Sequence, residues 1–349
     1  MIKHNSPLIK KSYLRVMNKC LLSNKITTGD KIHAVENFFQ NKYYKSGYAC
    51  LTSSGTSALY LALKALSLNK SANILVPTYS CSAILNAIYL SGNRPVISDI
   101  DINNLNFELI KKHESIDIVI AVNIFGSEPN IKEIKKKYPK AKIILDSCHS
   151  IGKRISKNDD CYKVDFVIHS FYATKIITCG HGGLIWSKSK KKIDFCKDYI
   201  NFDNRKKYYK RFNFLLTDFQ ATLLLPQLRN IKEIRDYRKN IFVKYSQSLP
   251  ENVKIFSHYN FNKDIIYRSV LIFKNKITRD TFLKYMKKNN IECKIPIQNF
   301  ELLHNYLLKK KKFFVNSEII SNVTLSLPMH LGLSKNNLIK ICKLLKNFK

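Results

Sequence analysis

The chain has 349 residues, 45% of them hydrophobic, enough for a large buried core in about two domains. Lys and Arg number 60 against 25 Asp and Glu, a net charge of +35. The basic residues lie in scattered short runs (135–137, 309–312), and no zinc-finger, RNA-binding aromatic or basic-zipper motif accompanies them, so specific nucleic-acid binding is not expected. No apolar run approaches the roughly 18 residues of a membrane span.

In chain order, Tyr48-Ala-Cys-Leu-Thr52 reads as a short strand that runs into Ser54-Gly55-Thr56-Ser57. An apolar helical pattern follows, with Leu59, Ala62, Leu63 and Leu66 at three- and four-residue spacing. Free N–H groups and hydroxyls at a helix start form an anion site, although the same composition is common in ordinary turns. Apolar runs at 74–76, 95–97, 118–122, 143–145 and 166–168 alternate with helical patterns at 82–90 and 131–138. That alternation predicts an α/β domain with a mostly parallel sheet.

Two of these runs end on reactive side chains. Residues 143–145 lead straight into Asp146, with His149 three positions on. A carboxylate at the carboxyl edge of a buried parallel strand can pair with a pyridine nitrogen; it can equally cap a following helix. Residues 165–169 close on Ser170, Lys175 follows five positions later, and Gly180-His-Gly-Gly183 leads into the apolar Leu184-Ile-Trp186. A lysine held between strands is placed for a Schiff base, and a nearby serine for a phosphate. Those are the two anchors of pyridoxal phosphate (PLP), one covalent and one ionic. Lysines at strand ends are commonly just solvated, so Lys175 gains its meaning from Asp146. Cys148 and Cys179 fall inside these motifs and read as small packing residues.

From 217 to about 249 the pattern turns helical and bridges to a smaller α+β unit. There 265–273 reads as a strand, 278–289 as a helix and 334–345 as a closing helix. Nine cysteines, none in C-x-x-C spacing, read as reduced thiols of a cytoplasmic protein rather than a disulfide framework or zinc site. The polar start Met-Ile-Lys-His-Asn-Ser-Pro has no signal-peptide core.

The succession Ser54-Gly55-Thr56-Ser57-Ala-Leu, Val76-Pro-Thr-Tyr, Asp99-Ile-Asp101, Asp146-x-x-His149 and Ser170-Phe-x-x-x-Lys175 with its glycines resembles the PLP-dependent nucleotide-sugar aminotransferases of the DegT/DnrJ group. The likeness continues through Phe212-Asn213, Asp218, Gln220, Gln227, Asn316-Ser-Glu318 and Leu325-Ser-Leu-Pro328, and covers the chain from about Leu22 onward. It implies an aspartate-aminotransferase-like α/β fold. A large PLP-binding domain over residues 1–235, with a mostly parallel seven-stranded sheet, would precede a small carboxyl-terminal α+β domain over 236–349. It implies Lys175 as the Schiff-base lysine, Asp146 as the ring-nitrogen partner and His149 beside the ring. Gly55, Thr56, Ser57 and Ser170 would hold the phosphate, and Asn213 would reach the cofactor of a neighbouring subunit in a homodimer with shared sites. No metal is implied.

The implied reaction moves an amino group, from glutamate, onto a nucleotide-linked keto sugar in amino-sugar and polysaccharide biosynthesis. Three positions depart from the family pattern: Cys81 stands for an aromatic that stacks on the cofactor, His181 for a glutamate and Leu215 for a basic residue. The family's dehydrating branch has histidine at the lysine position, which Lys175 argues against. Two other readings remain at this point: a non-enzymatic regulator that binds polyanions through its positive field, and another PLP reaction on a non-sugar substrate. The first has no need of Lys175, Asp146 and Ser170 together; the second lacks an identifiable substrate-orienting set.

Overall fold

The computed structural model describes residues 1–7, 9–66, 71–108, 115–156 and 158–348. Seven strands form the main sheet: β1 (Tyr48–Thr52), β2 (Asn73–Pro77), β3 (Arg94–Ser98), β4 (Ile118–Val122), β5 (Lys142–Asp146), β6 (Phe166–Ser170) and β7 (Gly183–Ser187), in spatial order β1-β7-β6-β5-β4-β2-β3. The strands from β6 to β3 are parallel, and β7 is antiparallel to both β6 and β1. The expected mostly parallel seven-stranded sheet is therefore present. The single reversal comes from the short 171–182 connection, which has no room for a crossover helix.

Why these runs are strands follows from where their side chains go. Along β4, Val119 and Ala121 belong to one core and Ile118, Ile120 and Val122 to another, on the opposite face. The same alternation divides Ile143 and Leu145 from Ile144 in β5. A strand covered on both faces has no polar side to show, hence the unbroken apolar run. The helices Gly55–Ala65, Ala83–Leu90 and Lys190–Ile200 cover one face; Asp30–Asn37, Ile131–Lys137 and Asp218–Arg229 cover the other. Each fully buried Ile or Leu contributes about 2 kcal/mol.

A second, antiparallel sheet comprises β8 (Lys254–Ile255), β9 (Ser269–Ile272) and β10 (Thr324–Leu327), in order β10-β9-β8. The expected helices near 278–289 and 334–345 are Lys276–Lys288 and Lys335–Asn347, packed around this sheet in a core of their own. The helical stretch from 217 breaks at Asn230 into Asp218–Arg229 and Ile231–Ser246. The second helix spans both cores: Ile234 packs with the large sheet, and Ile241, Phe242 and Tyr245 with the small one. The division expected at 235/236 falls along this helix. Ile2 pairs with Ile291 beside the small sheet, and the His4 N–H donates to Glu292. No helix among the described residues is long and apolar enough to cross a membrane.

The strand expected over 265–273 is shorter, because 265–268 leave the ladder to dock on the large sheet. The Tyr267 N–H donates to the Phe125 carbonyl at 2.9 Å, just beyond the end of β4. Gly126, at φ +104°, makes that approach possible: a Cβ there would lie 2.0 Å from the Ile265 carbonyl oxygen. The docking carries Tyr267 and Arg268 to the carboxyl edge of the large sheet.

Candidate active site

A cavity of 540 Å³ opens at that edge. Gly55, Thr56, Asp146, His149, Ser170 and Lys175 all line it, although they are up to 120 positions apart in the chain. The register explains the convergence: Gly183, at the start of β7, sits opposite both Thr52 and Ser170. A Cβ at Gly183 would lie 2.2 Å from the Ser54 carbonyl oxygen, so only glycine lets β7 pass the turn before the helix.

The helix Gly55–Ala65 starts at this rim. Ser54 is its N-cap, accepting from the Ser57 N–H, and Ser57 completes a capping box. The Ser57 hydroxyl is thus taken up by the turn, donating to the Ser54 carbonyl at 2.8 Å, and Ser57 does not line the cavity. Gly55 and Thr56 do, with Ser170 close by: a Cβ on Gly55 would sit 2.9 Å from Ser170 Cβ. The first-turn N–H groups and two hydroxyls therefore surround a small space suited to an oxyanion.

Asp146 ends β5, and its Oδ1 accepts from the Cys148 N–H at 3.0 Å. The residues directly after it, 147–156, form turns and loop rather than a helix, so it caps none. The His149 ring is nearly parallel to two others, 4.0 Å from Tyr267 and 6.2 Å from Phe125, both within 9°. Burial holds its pKa well below the ordinary histidine value, reinforced by Lys175 and Arg268, and Nδ1 accepts from the Phe125 N–H. The ring is neutral at pH 7.

Lys175 sits on the tight turn after β6, its N–H donating to the Tyr172 carbonyl at 2.9 Å. Burial opposes its charge, but Tyr267, Cys148 and Asp146 outweigh that and hold its pKa above the ordinary lysine value. Burial raises the Tyr267 phenol, and Lys175 and Arg268 more than reverse the effect. The Lys175 Nζ is 5.4 Å from the centre of the Tyr267 ring.

The loop carrying Lys175 is clamped from outside the cavity. Gln227 accepts from the Thr178 N–H at 3.0 Å and donates to the Thr178 carbonyl at 2.7 Å, while Gln220 donates to the His181 carbonyl. Burial pushes the Cys179 thiol up to about 12, and burial with Asp146 raises Cys148, so neither is a thiolate at neutral pH.

Of the positions that depart from the family pattern, Cys81 and His181 line the cavity and Leu215 packs on the core. Asn213 is exposed and lies outside its own protomer's cavity. Two other motif residues hold the frame. Asp99 accepts from the Asn316 and Ser317 N–H groups at the start of the helix Val315–Val323, and Asp218 accepts from those of Lys31 and Ile32 at the start of Asp30–Asn37. Sequence reasoning missed Tyr267, Arg268, Pro296, Ile297 and Glu301, which close the cavity from the small sheet's side.

The chain is 26% identical to a GDP-perosamine synthase of Vibrio cholerae over 100% of this chain and 99% of that protein. Among solved structures, a Streptococcus pneumoniae protein described as a sugar aminotransferase in its PMP form superposes with a TM-score of 0.89 at 18% identity, covering 100% and 99% of the two chains. A GDP-4-keto-6-deoxy-D-mannose-3-dehydratase from E. coli gives 0.86 at 18% identity over 99% of each chain, so the fold alone does not separate amination from dehydration. The family profile matches residues 7–346, nearly the whole chain, and by that match the protein belongs to the DegT/DnrJ/EryC1/StrS aminotransferase family.

Proposed function

We propose that this aminotransferase uses PLP to move an amino group from glutamate onto a keto sugar carried on a nucleotide, as a step of amino-sugar biosynthesis. The observation that carries the reading is the meeting of Lys175, Asp146 and the Gly55–Thr56–Ser170 cradle in one cavity. The cradle fits the cofactor's phosphate, since a side chain at Gly55 would fill the space beside Ser170. PLP, when bound, supplies an aldehyde that condenses with amines and a protonated ring that accepts electrons from the adjacent carbon.

The chain's residues do the rest. Lys175 would be the covalent anchor and would move the proton at the donor's α-carbon. Asp146 holds the proton on the ring nitrogen. His149, kept neutral by burial, packs beside the ring without adding a second positive charge. Thr56 and Ser170 would donate hydrogen bonds to the phosphate, and Ser57 keeps the turn that presents them. Asn213, exposed on its own protomer, serves the cofactor phosphate of a partner in a homodimer. The GDP-sugar activity named for the Vibrio cholerae relative favours a nucleotide-linked acceptor, and Lys175 favours transamination over dehydration.

The test is to incubate purified protein with PLP, glutamate and a panel of keto-sugar nucleotides and to seek an amino sugar by mass spectrometry. An amino-sugar nucleotide is expected. Consumption of glutamate with no sugar in the panel aminated would move the acceptor to another class.

A further inference from the structure

The cavity is lined by two basic side chains, Lys175 and Arg268, and two carboxylates, Asp146 and Glu301. Arg268 has no part in the reading above. It follows Tyr267 on the segment that docks on Phe125–Gly126, is half-buried, and packs with Cζ 5.5 Å from the centre of the Tyr267 ring. Its Nη1 makes a long hydrogen bond, 3.4 Å, to the Pro296 carbonyl. Among the described residues no carboxylate lies within ion-pair distance of it. Such a charge, half withdrawn from water and without a counter-ion, is costly unless an anionic ligand completes the site.

We infer that Arg268 is a specificity-determining residue that binds a carboxylate of the amino donor. This rests on the transaminase reading. Lys175 Nζ and Arg268 Cζ lie 5.4 and 5.5 Å from the centre of the same Tyr267 ring. A donor's α-carboxylate is bonded to the very carbon whose proton Lys175 moves, so its anchor must lie beside that lysine. The guanidinium is a planar fork that matches a carboxylate's two oxygens. A nucleotide diphosphate, set beyond the sugar ring from the reacting carbon and doubly charged, calls for several donors nearer the mouth. With Lys175 committed to the cofactor, Arg268 is the cavity-lining guanidinium left to select an acidic donor over a plain amine.

Titration calorimetry on cofactor-loaded protein tests this with glutarate, a dicarboxylate with no amine to react, and separately with GDP. Arg268→Gln should weaken glutarate binding by about tenfold or more and GDP binding by less than about threefold. Arg268→Lys, which keeps the charge but loses the fork, should fall between wild type and Arg268→Gln. In steady state the KM for donor should rise while that for acceptor holds. Unchanged glutarate binding in Arg268→Gln, no measurable glutarate binding to wild type, or an equal loss for GDP each overturns the assignment; the last would make Arg268 a diphosphate anchor. Amino-group transfer by wild type is assayed separately. Its absence alongside intact glutarate discrimination would sink the transaminase reading and leave the anion site standing.

Discussion

The cavity wall made by the large sheet and the wall made by the small one are held in different ways. On the large-sheet side, side chains sit on strand ends and a capped helix, with Gly183 fixed in register between Thr52 and Ser170. On the other side, Tyr267 and Arg268 lie on an extended segment outside any ladder, attached through the Tyr267–Phe125 backbone hydrogen bond and a stack on His149. A wall built on regular elements sets positions tightly and suits a resident cofactor. A wall made by a docked segment tolerates changes of side chain and suits the substrate.

Substitutions on the two walls should therefore fail differently. Asp146→Asn should lower turnover on the order of a hundredfold or more, since an amide cannot keep the ring nitrogen protonated. Circular dichroism and PLP retention should stay close to wild type; near-normal turnover would remove Asp146 from the chemistry. Tyr267→Ala should lower kcat by about fivefold, the scale of an aromatic contact worth about 1 kcal/mol. PLP retained through desalting should be unaffected. If Tyr267→Ala loses cofactor as readily as a variant of the cradle, the division between the walls is wrong.

A smaller effect reports on the support behind the large-sheet wall. His169, one residue before Ser170, bonds the Tyr44 hydroxyl and the Ser147 carbonyl, and burial lowers its pKa to about 4. The unfolded chain takes up a proton on this ring below about pH 6.5, and the folded chain does not until near pH 4. Stability therefore holds above pH 6.5 and falls as the pH drops toward 4, by about 1.4 kcal/mol per pH unit for this group. Urea unfolding at several pH values should show His169→Asn with a correspondingly flatter slope. An unchanged slope would mean that His169 titrates in the folded protein.

What was legible in the sequence follows the same division. Asp146 and Ser170 each end a buried strand run, with Lys175 five positions beyond Ser170, so the period that marks the strand also marks its reactive end. Tyr267 and Arg268 continue an apolar run into β9, and nothing in that pattern tells of the departure at Gly126 that brings them to the cavity. Asp99 and Asp218 stand out as motif residues, yet their partners at 316–317 and 31–32 lie about 190 to 220 positions away, a distance that no local pattern spans. Ser57 shows the limit from the other side. Its composition reads as a phosphate ligand, whereas its hydroxyl is spent on the capping box. Hydroxyls at a helix start serve both ends, and only geometry divides them.

The central claim, that Lys175 is the covalent anchor of PLP, can be tested on the protein directly. Purified protein incubated with PLP and reduced with borohydride is digested and its peptides mapped by mass spectrometry. The account predicts a yellow protein before reduction and one phosphopyridoxyl group, on Lys175, afterwards. Modification of a different lysine, or no chromophore and no labelled peptide, would contradict it.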